Sequence, residues 1–397
     1  MTAFDELAAL DAQHVMQTYA RQPVAFVRGE GSRLWDSEGR EYLDFLGGLA
    51  VTSLGHAHPE VAEALSEQAR TLLHVSNLYY TEVQPKLAAE LNGLLGGKGR
   101  VFFSNSGAEA NECAIKLARR HGQKHGGPDR YHVVSALNSF HGRTLTTLAA
   151  TGQPAKQATF QPLPAGFGQV PYGDIAALEE QAEELDGQLA AILLEVIQGE
   201  GGVWPAPPGY LEAVRALCDR TGALLIVDEV QTGLGRTGKW FAFEHFGIRP
   251  DIVTMAKALG NGVPIGACWA TAEAAAAFEP GDHATTYGGQ PLAARAALTT
   301  VQIMQRENVP ELSRRAGARL AEGLAATTGV SGVRGLGLLL AAELAPGIDS
   351  KSAAAACLDG GLIVNAVTAS ALRFEPSLLV TDDEIDEAVA IVGKALA

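Results

Sequence analysis

Between Pro59 and Gly281 short apolar runs alternate with helical patterns: "RVFFSN", "YHVVSA", "AAILLEV", "ALLIVDEV", "DIVTMA" and "GACWAT" are separated by segments such as "AEANECAIKLARRH" and "PGYLEAVRALCDRTG". Runs this apolar predict strands buried on both faces. Their alternation with helices predicts an α/β fold with a largely parallel sheet covered on both sides. In such sheets ligands sit outside the carboxyl ends of the strands.

At 397 residues the chain exceeds one compact core. We divide it into residues 1–58, an N-terminal segment contributing to a small domain; 59–290, a large domain; and 291–397, the rest of the small domain. The first segment reads as a helix followed by β-like runs in "FVRGEGSRLWDSEGREYLDFLGG", punctuated at hairpin spacing. After a long helix in "TTYGGQPLAARAALTTVQIMQ", an α+β piece follows, with strands near "VRGLGLLLAAEL", "GLIVNAV" and "ALRFEP". It closes on "TDDEIDEAVAIVGKALA", with Thr381 as the helix cap.

A net charge of −15 disfavours nucleic acid or an anionic membrane as partner, so any anionic substrate must be caught by local arginines. Cys113, Cys218, Cys268 and Cys357 show no metal or disulfide spacing and read as reduced thiols. The acidic, helical start does not resemble a secretory signal, and no apolar run is long enough to span a bilayer. The expected location is the cytoplasm.

The chemistry concentrates at three strand exits. In "LLIVDEVQTGLGRTG" a buried strand ends on Asp228 and Glu229, and burying either charge without a partner costs several kcal/mol. In "SNSGAEANE", Ser106 and Glu109 have capping-box spacing, which would leave the N–H groups of Gly107 and Ala108 open to a phosphate at a helix N-terminus. The plain alternative is a capped helix with nothing bound. In "TMAKALGNGVPIG", Lys257 follows a strand; a lysine desolvated there can form a Schiff base, whereas most lysines are surface charges. Together the three fit a cofactor with a phosphate, an aldehyde and a ring nitrogen that can be cationic, which is pyridoxal phosphate. Asp228 would keep the ring nitrogen protonated, Gln231 would reach the ring hydroxyl, and Phe140 in "NSFHGRT" would stack on the ring. Glu229 is expected to face away.

The motifs "SGAEANE", "FHGRT", "QGEGG", "DEVQTGLGRTG", "AKALGNGVPIG", "TTYGGQPLA" and "LRFEPSLLV" occur in an order and spacing that resemble the class III pyridoxal-phosphate aminotransferases. The resemblance covers nearly the whole chain. It implies the type I fold of pyridoxal-phosphate transferases, with a seven-stranded-type sheet in the large domain and a small domain built from both flanks. It also implies a homodimer with shared active sites. Lys257 resembles the Schiff-base lysine, Asp228 and Gln231 the ring contacts, Gly107 and Ala108 the phosphate cradle, and Phe140 the stacking ring. Thr286 resembles the threonine that reaches the phosphate of the neighbouring subunit's cofactor.

Within the family the motifs stand nearest to members acting on N-acetylornithine, which pass its δ-amino group to 2-oxoglutarate in arginine biosynthesis. Arg143, with Thr285, resembles the group holding the donor's α-carboxylate. Arg373 resembles the arginine that holds the carboxylate next to the reacting carbon of glutamate or 2-oxoglutarate. Glu200 resembles the glutamate that masks this arginine until the dicarboxylate arrives, through a pair worth ~4 kcal/mol at an effective dielectric near ~20, before desolvation. Its plain alternative is the cap of a glycine-rich turn. Ornithine, succinylornithine, succinyl-diaminopimelate and carrier-bound lysine remain open as donors. Val196, Asn261 and Gln290 depart from the family's usual proline, glycine and asparagine.

Other residues draw structural readings. His56 and His58 are explained by a turn leading into a helix at Pro59, and no metal is expected. His141 reads as a packed loop histidine, Arg236 as loop structure or an interface contact, and Glu195 as a carboxylate supporting the surroundings of Asp228. Rival functions are an aminomutase or racemase on the same fold, and a pyridoxal-phosphate-sensing regulator. The regulator would need a basic DNA-binding segment, which is not expected here. No G-x-G-x-x-G joins a strand to a helix, which disfavours a dinucleotide fold.

Overall fold

The computed structural model describes residues 2–397. Its central sheet has seven strands in the order Gly99–Ser104, Gly266–Thr271, Ile252–Met255, Leu224–Asp228, Leu189–Glu195, His132–Ala136 and Phe167–Val170. Every residue of Leu189–Glu195 and of Leu224–Asp228 is buried. Each Leu, Ile or Val so buried contributes about 1.5–3 kcal/mol to folding. The helix Gly107–Gly126 lies on one face and buries small residues such as Ala110, Ala114 and Ala118, which let its backbone approach the strands closely. The strand Phe167–Val170 escaped the sequence reading because its "FGQV" is mostly half-buried and neither runs apolar nor alternates cleanly.

Pairing is parallel throughout except at Gly266–Thr271, which runs antiparallel to both neighbours. A parallel return needs a crossover of about a dozen residues or more, usually a helix. The connection from Ile252–Met255, residues 256–265, holds no helix beyond the short 3-10 turn Lys257–Gly260, so the chain comes straight back. That return places Pro264 and Ile265 beside the carboxyl ends of the parallel strands.

At the N-terminal side, a capped helix Ala3–His14 precedes an antiparallel set of Phe26–Glu30, Arg33–Asp36 and Glu41–Asp44. The distant strand Leu362–Ile363 joins this set, parallel to Glu41–Asp44. A second sheet pairs Val330–Leu336, Leu339–Leu344, Ala371–Phe374 and Asn365–Thr368, all antiparallel, and carries Arg373 on a fully buried strand. The closing helix Asp382–Ala395 starts with the full capping box of Thr381 and Glu384. All four cysteines are buried and free. Among the described residues no helix is long and apolar enough to cross a membrane.

Candidate active site

A cavity of about 380 Å³ opens at the carboxyl ends of the parallel strands. Gly107, Ala108, Phe140, Arg143, Glu200, Asp228, Gln231 and Lys257 all line it. Gln231 reaches it past Gly199, where any Cβ would stand 1.4 Å from the Gln231 Oε1.

At the start of the Gly107–Gly126 helix, the Ser106 hydroxyl accepts from the Glu109 N–H at 3.2 Å. The Glu109 carboxylate accepts from the Asn105 N–H and side-chain amide, both at 2.7 Å, rather than from Ser106. The expected capping box is therefore half formed, with its second arm reaching one residue further back. A Cβ on Gly107 would meet Val230 at 2.8 Å, so only glycine lets the helix start lie this close to the strand exit.

Asp228 ends its strand and is buried. Its Oδ1 accepts from the Val230 N–H at 3.0 Å; its Oδ2 accepts from the Asn111 amide at 2.8 Å and the His141 Nδ1–H at 2.9 Å. Asn111 is itself oriented by the Thr254 hydroxyl at 2.8 Å. Among the described residues no lysine or arginine pairs with Asp228. His141 is a packed loop histidine, as expected, but it also holds this carboxylate, and its buried Nε2 has no partner. Glu229 turns away to the Phe243 N–H at 3.0 Å and the Thr232 hydroxyl, and burial pushes its carboxyl up to about 7.

Lys257 begins its turn at φ +44°, a left-handed conformation that is strained for a side chain of this size. Among the described residues its ammonium has no hydrogen bond or ion pair. Burial lowers its proton affinity, opposed by the charge of Glu375. Phe140 is fixed by its N–H donating to Glu195 at 3.0 Å, and the Arg143 guanidinium and the Lys156 ammonium lie 5.6 and 5.3 Å from its ring centre. Glu195 pairs in register with Asp228 on the adjacent strand; burial pushes it up to about 7, with the Asp228 charge in the same direction.

Arg373 has no solvent exposure and holds Glu200 at 2.7 Å. It donates to Asn365 at 3.2 Å and lies 3.2 Å from a second carboxylate, Glu375, which the sequence reading missed. Burial would lower the Arg373 guanidinium, but Glu375 and then Glu200 raise it above its ordinary value. Glu200, which burial would raise, is lowered by Arg373.

Thr285 and Thr286 line a separate cavity with Ser76, Asn77 and Phe102. Thr285 accepts from the Gly288 N–H at 3.1 Å and reaches toward the Lys257 cavity only through Asn105, 3.5 Å away. Within one chain, neither threonine meets Arg143 or Lys257.

His56 pairs with Asp44 at 2.7 Å, a carboxylate twelve residues away that the fold brings to it. Among the described residues no group of side chains could hold a metal. Arg236 is loop structure: fully buried, it donates to the Leu338 and Pro376 carbonyls and to Ser53, and burial lowers it to about 10. Asn261 adopts φ +45°, which asparagine tolerates, and ties the Leu54 N–H and the Gly55 carbonyl. Gln290 accepts from the Val75 N–H at 3.1 Å, and Val196 is fully buried.

A mostly parallel sheet, with a free lysine, a buried carboxylate and an open helix start at its strand exits, defines the class of type I pyridoxal-phosphate transferases. Residues 15–396 match the aminotransferase class-III family, and the chain belongs to it. It is 48% identical to the acetylornithine aminotransferase of Caldanaerobacter subterraneus subsp. tengcongensis, over 98% of each chain. With that of Gloeobacter violaceus it shares 50% identity, over 97% of this chain and 96% of the relative. The ornithine aminotransferase of Toxoplasma gondii ME49 superposes with a TM-score of 0.95 at 35% identity, covering 100% of this chain and 95% of that one. The acetylornithine aminotransferase of Elizabethkingia anophelis gives 0.88 at 32%, covering 100% and 99%.

Proposed function

We propose that the protein transfers the δ-amino group of N-acetylornithine to 2-oxoglutarate, giving N-acetylglutamate semialdehyde and glutamate. One observation carries this reading: Arg373 is buried directly behind Glu200, which lines the cavity and masks it at 2.7 Å, while Arg143 lines the same cavity with no ion pair among the described residues. A donor whose reacting end has no carboxylate needs the first arginine covered, and a dicarboxylate needs it open. The full-length likeness to acetylornithine aminotransferases supports the choice of donor.

The cofactor is pyridoxal phosphate, and the residues present fit it. Lys257 would bond its aldehyde carbon, the Gly107 and Ala108 N–H groups would hold its phosphate, and Asp228 would hold a proton on its ring nitrogen. Phe140 would cover one ring face, and Gln231 would reach the ring hydroxyl. When bound, the cofactor supplies an electron sink and carries the amino group between the two substrates.

The chain's own residues do the rest. Asn111 and His141 aim the Asp228 carboxylate. Arg143 orients the donor by its α-carboxylate, and because Thr285 lines a separate cavity within one chain, it would add its contact only from the other copy of a dimer. The Lys257 amine, whose proton affinity burial has lowered, would take the proton from the donor's reacting carbon and hand it to the cofactor's aldehyde carbon, and would move a proton the opposite way once the acceptor has bound. Glu200 leaves Arg373 when the acceptor's carboxylate arrives and returns when it goes.

The same proposal includes a cytoplasmic homodimer in which Thr286 serves the other copy's site. Leu78 and Tyr80, beside the second cavity, are 86% and 104% exposed, which supports a covering partner chain. It also includes the division at 58 and 290, supported by the pairing of Glu41–Asp44 with Leu362–Ile363. The substrate assignment is tested by comparing kcat/KM for acetylornithine, ornithine, succinylornithine, succinyl-diaminopimelate and carrier-bound lysine with 2-oxoglutarate. Acetylornithine should rank at or near the top; a low rank refutes it.

A further inference from the structure

Arg373 faces two carboxylates of opposite character. The Glu200 side chain is 32% exposed, on a glycine-flanked turn at the cavity; Glu375 has no exposure at all. Glu375 follows Arg373 by two residues at the end of the strand Ala371–Phe374, so both side chains leave on the same face. Its N–H is tied to the Phe45 carbonyl at 2.7 Å, and neither of its side-chain oxygens has a hydrogen bond. A carboxylate so enclosed is held by charge, and the Arg373 Nε at 3.2 Å supplies it. The charge of Glu375 also raises the proton affinity of the fully buried Arg236. The Nη2 of Arg373 is also unpartnered. The result is a row of alternating charges, Glu200, Arg373 and Glu375, of which only the first borders solvent.

We propose that Glu375 is a positioning residue that sets anion specificity: as a fixed counter-charge on Arg373, it weakens the arginine's hold on any second carboxylate enough for Glu200 and a substrate carboxylate to exchange there. With Glu375 present, Arg373 is never left as a bare buried cation while Glu200 moves, which lowers the barrier to exchange. Each carboxylate that seats on Arg373 also meets the repulsion of Glu375, so none is held too tightly to leave. The inference rests on the proposed role of Arg373.

The test is glutarate, a five-carbon dicarboxylate without the keto group, titrated into the holoenzyme by calorimetry. Glu375→Gln keeps the shape and removes the charge, and should tighten glutarate roughly five- to tenfold. The KM for 2-oxoglutarate should fall relative to the KM for the amino donor; the Glu375 charge also bears on Lys257, but that effect falls on both half-reactions alike and leaves the ratio of the two KM values to report on Arg373. A purely structural role would move both KM values together. Glu375→Asp, which draws the charge back from Arg373, should shift glutarate in the same direction by less, and carries the test if the Gln variant does not fold. Unchanged or weaker glutarate binding in a folded variant overturns the inference. Arg373→Met separates the two layers: it should abolish glutarate binding, and if it does not, the proposed role of Arg373 falls and the inference with it.

Discussion

Lys257 combines three properties that a structural lysine lacks: a left-handed backbone, an amine without protein partners, and burial that lowers its proton affinity. The backbone strain costs on the order of 1–3 kcal/mol and persists because buried neighbours on both sides fix the turn. Lys257→Ala relieves that strain only in part and removes the group proposed to move the proton. Steady-state turnover should fall by about 10⁴-fold or more, while the phosphate content of the dialysed protein shows the cofactor still bound. Turnover within tenfold of the parent would refute the assignment. Lys257 and Asp228 were legible in the sequence because a charge directly after a buried strand has no local reason to be there. Asn111, His141 and Glu375 were not, since their meaning lies in partners the fold brings to them. Asn111 reads as one more polar helix residue until it meets Asp228, 117 positions away. Glu375 did carry a signal, an acidic side chain two residues past an arginine on an apolar strand.

At the scale of the element, the exit of Leu224–Asp228 sorts two adjacent carboxylates by the alternation of a strand. Asp228 faces the cavity, and Glu229 faces the loop, among the Phe243 N–H and the Thr232 hydroxyl. Burial raises Glu229 to about 7 from an ordinary value near 4.5, so the folded chain favours its protonated form. The sign follows: the stability linked to Glu229 is fully present below pH ~4.5 and is lost as pH rises through ~7. Glu229→Gln cannot ionise and should remove this component, on the order of 3 kcal/mol. Plotted as Tm against pH from 4.5 to 7.5, the variant should gain on the parent as pH rises. Parallel curves would mean that Glu229 does not titrate in this window. The antiparallel return of Gly266–Thr271 belongs to this scale as well. Its composition matches that of its parallel neighbours, and only the shortness of the preceding turn dictates its direction.

For the whole molecule, the separation of Thr285 and Thr286 from the Lys257 cavity has a direct consequence if two copies share their sites. Thr286→Val should be impaired because it fails its partner, and Lys257→Ala because it fails itself. Mixed dimers of the two variants would contain one site with an intact Lys257 and an intact Thr286 from the other copy. Unfolding and refolding the two together should therefore restore activity, to as much as about a quarter of the parent's under random pairing. If Thr286 served its own chain, every site would carry one defect and no activity would return. The flanking segments were legible as α+β pieces, but the pairing between them was not, because two-residue strands carry almost no pattern.

That pairing also imposes an order of events. Glu41–Asp44 leaves the ribosome early and must wait for Leu362–Ile363 before its edge is covered. The strand bearing Arg373 and Glu375 is made later still. A nascent chain can assemble the central sheet and the Lys257 turn well before either arrives, so the cofactor pocket can take shape while the anion-discriminating wall is still missing. If Arg373 selects anions as proposed, chemistry and selectivity would be acquired at different moments in the life of the polypeptide, and a chain stalled between them would be a pocket without a gatekeeper.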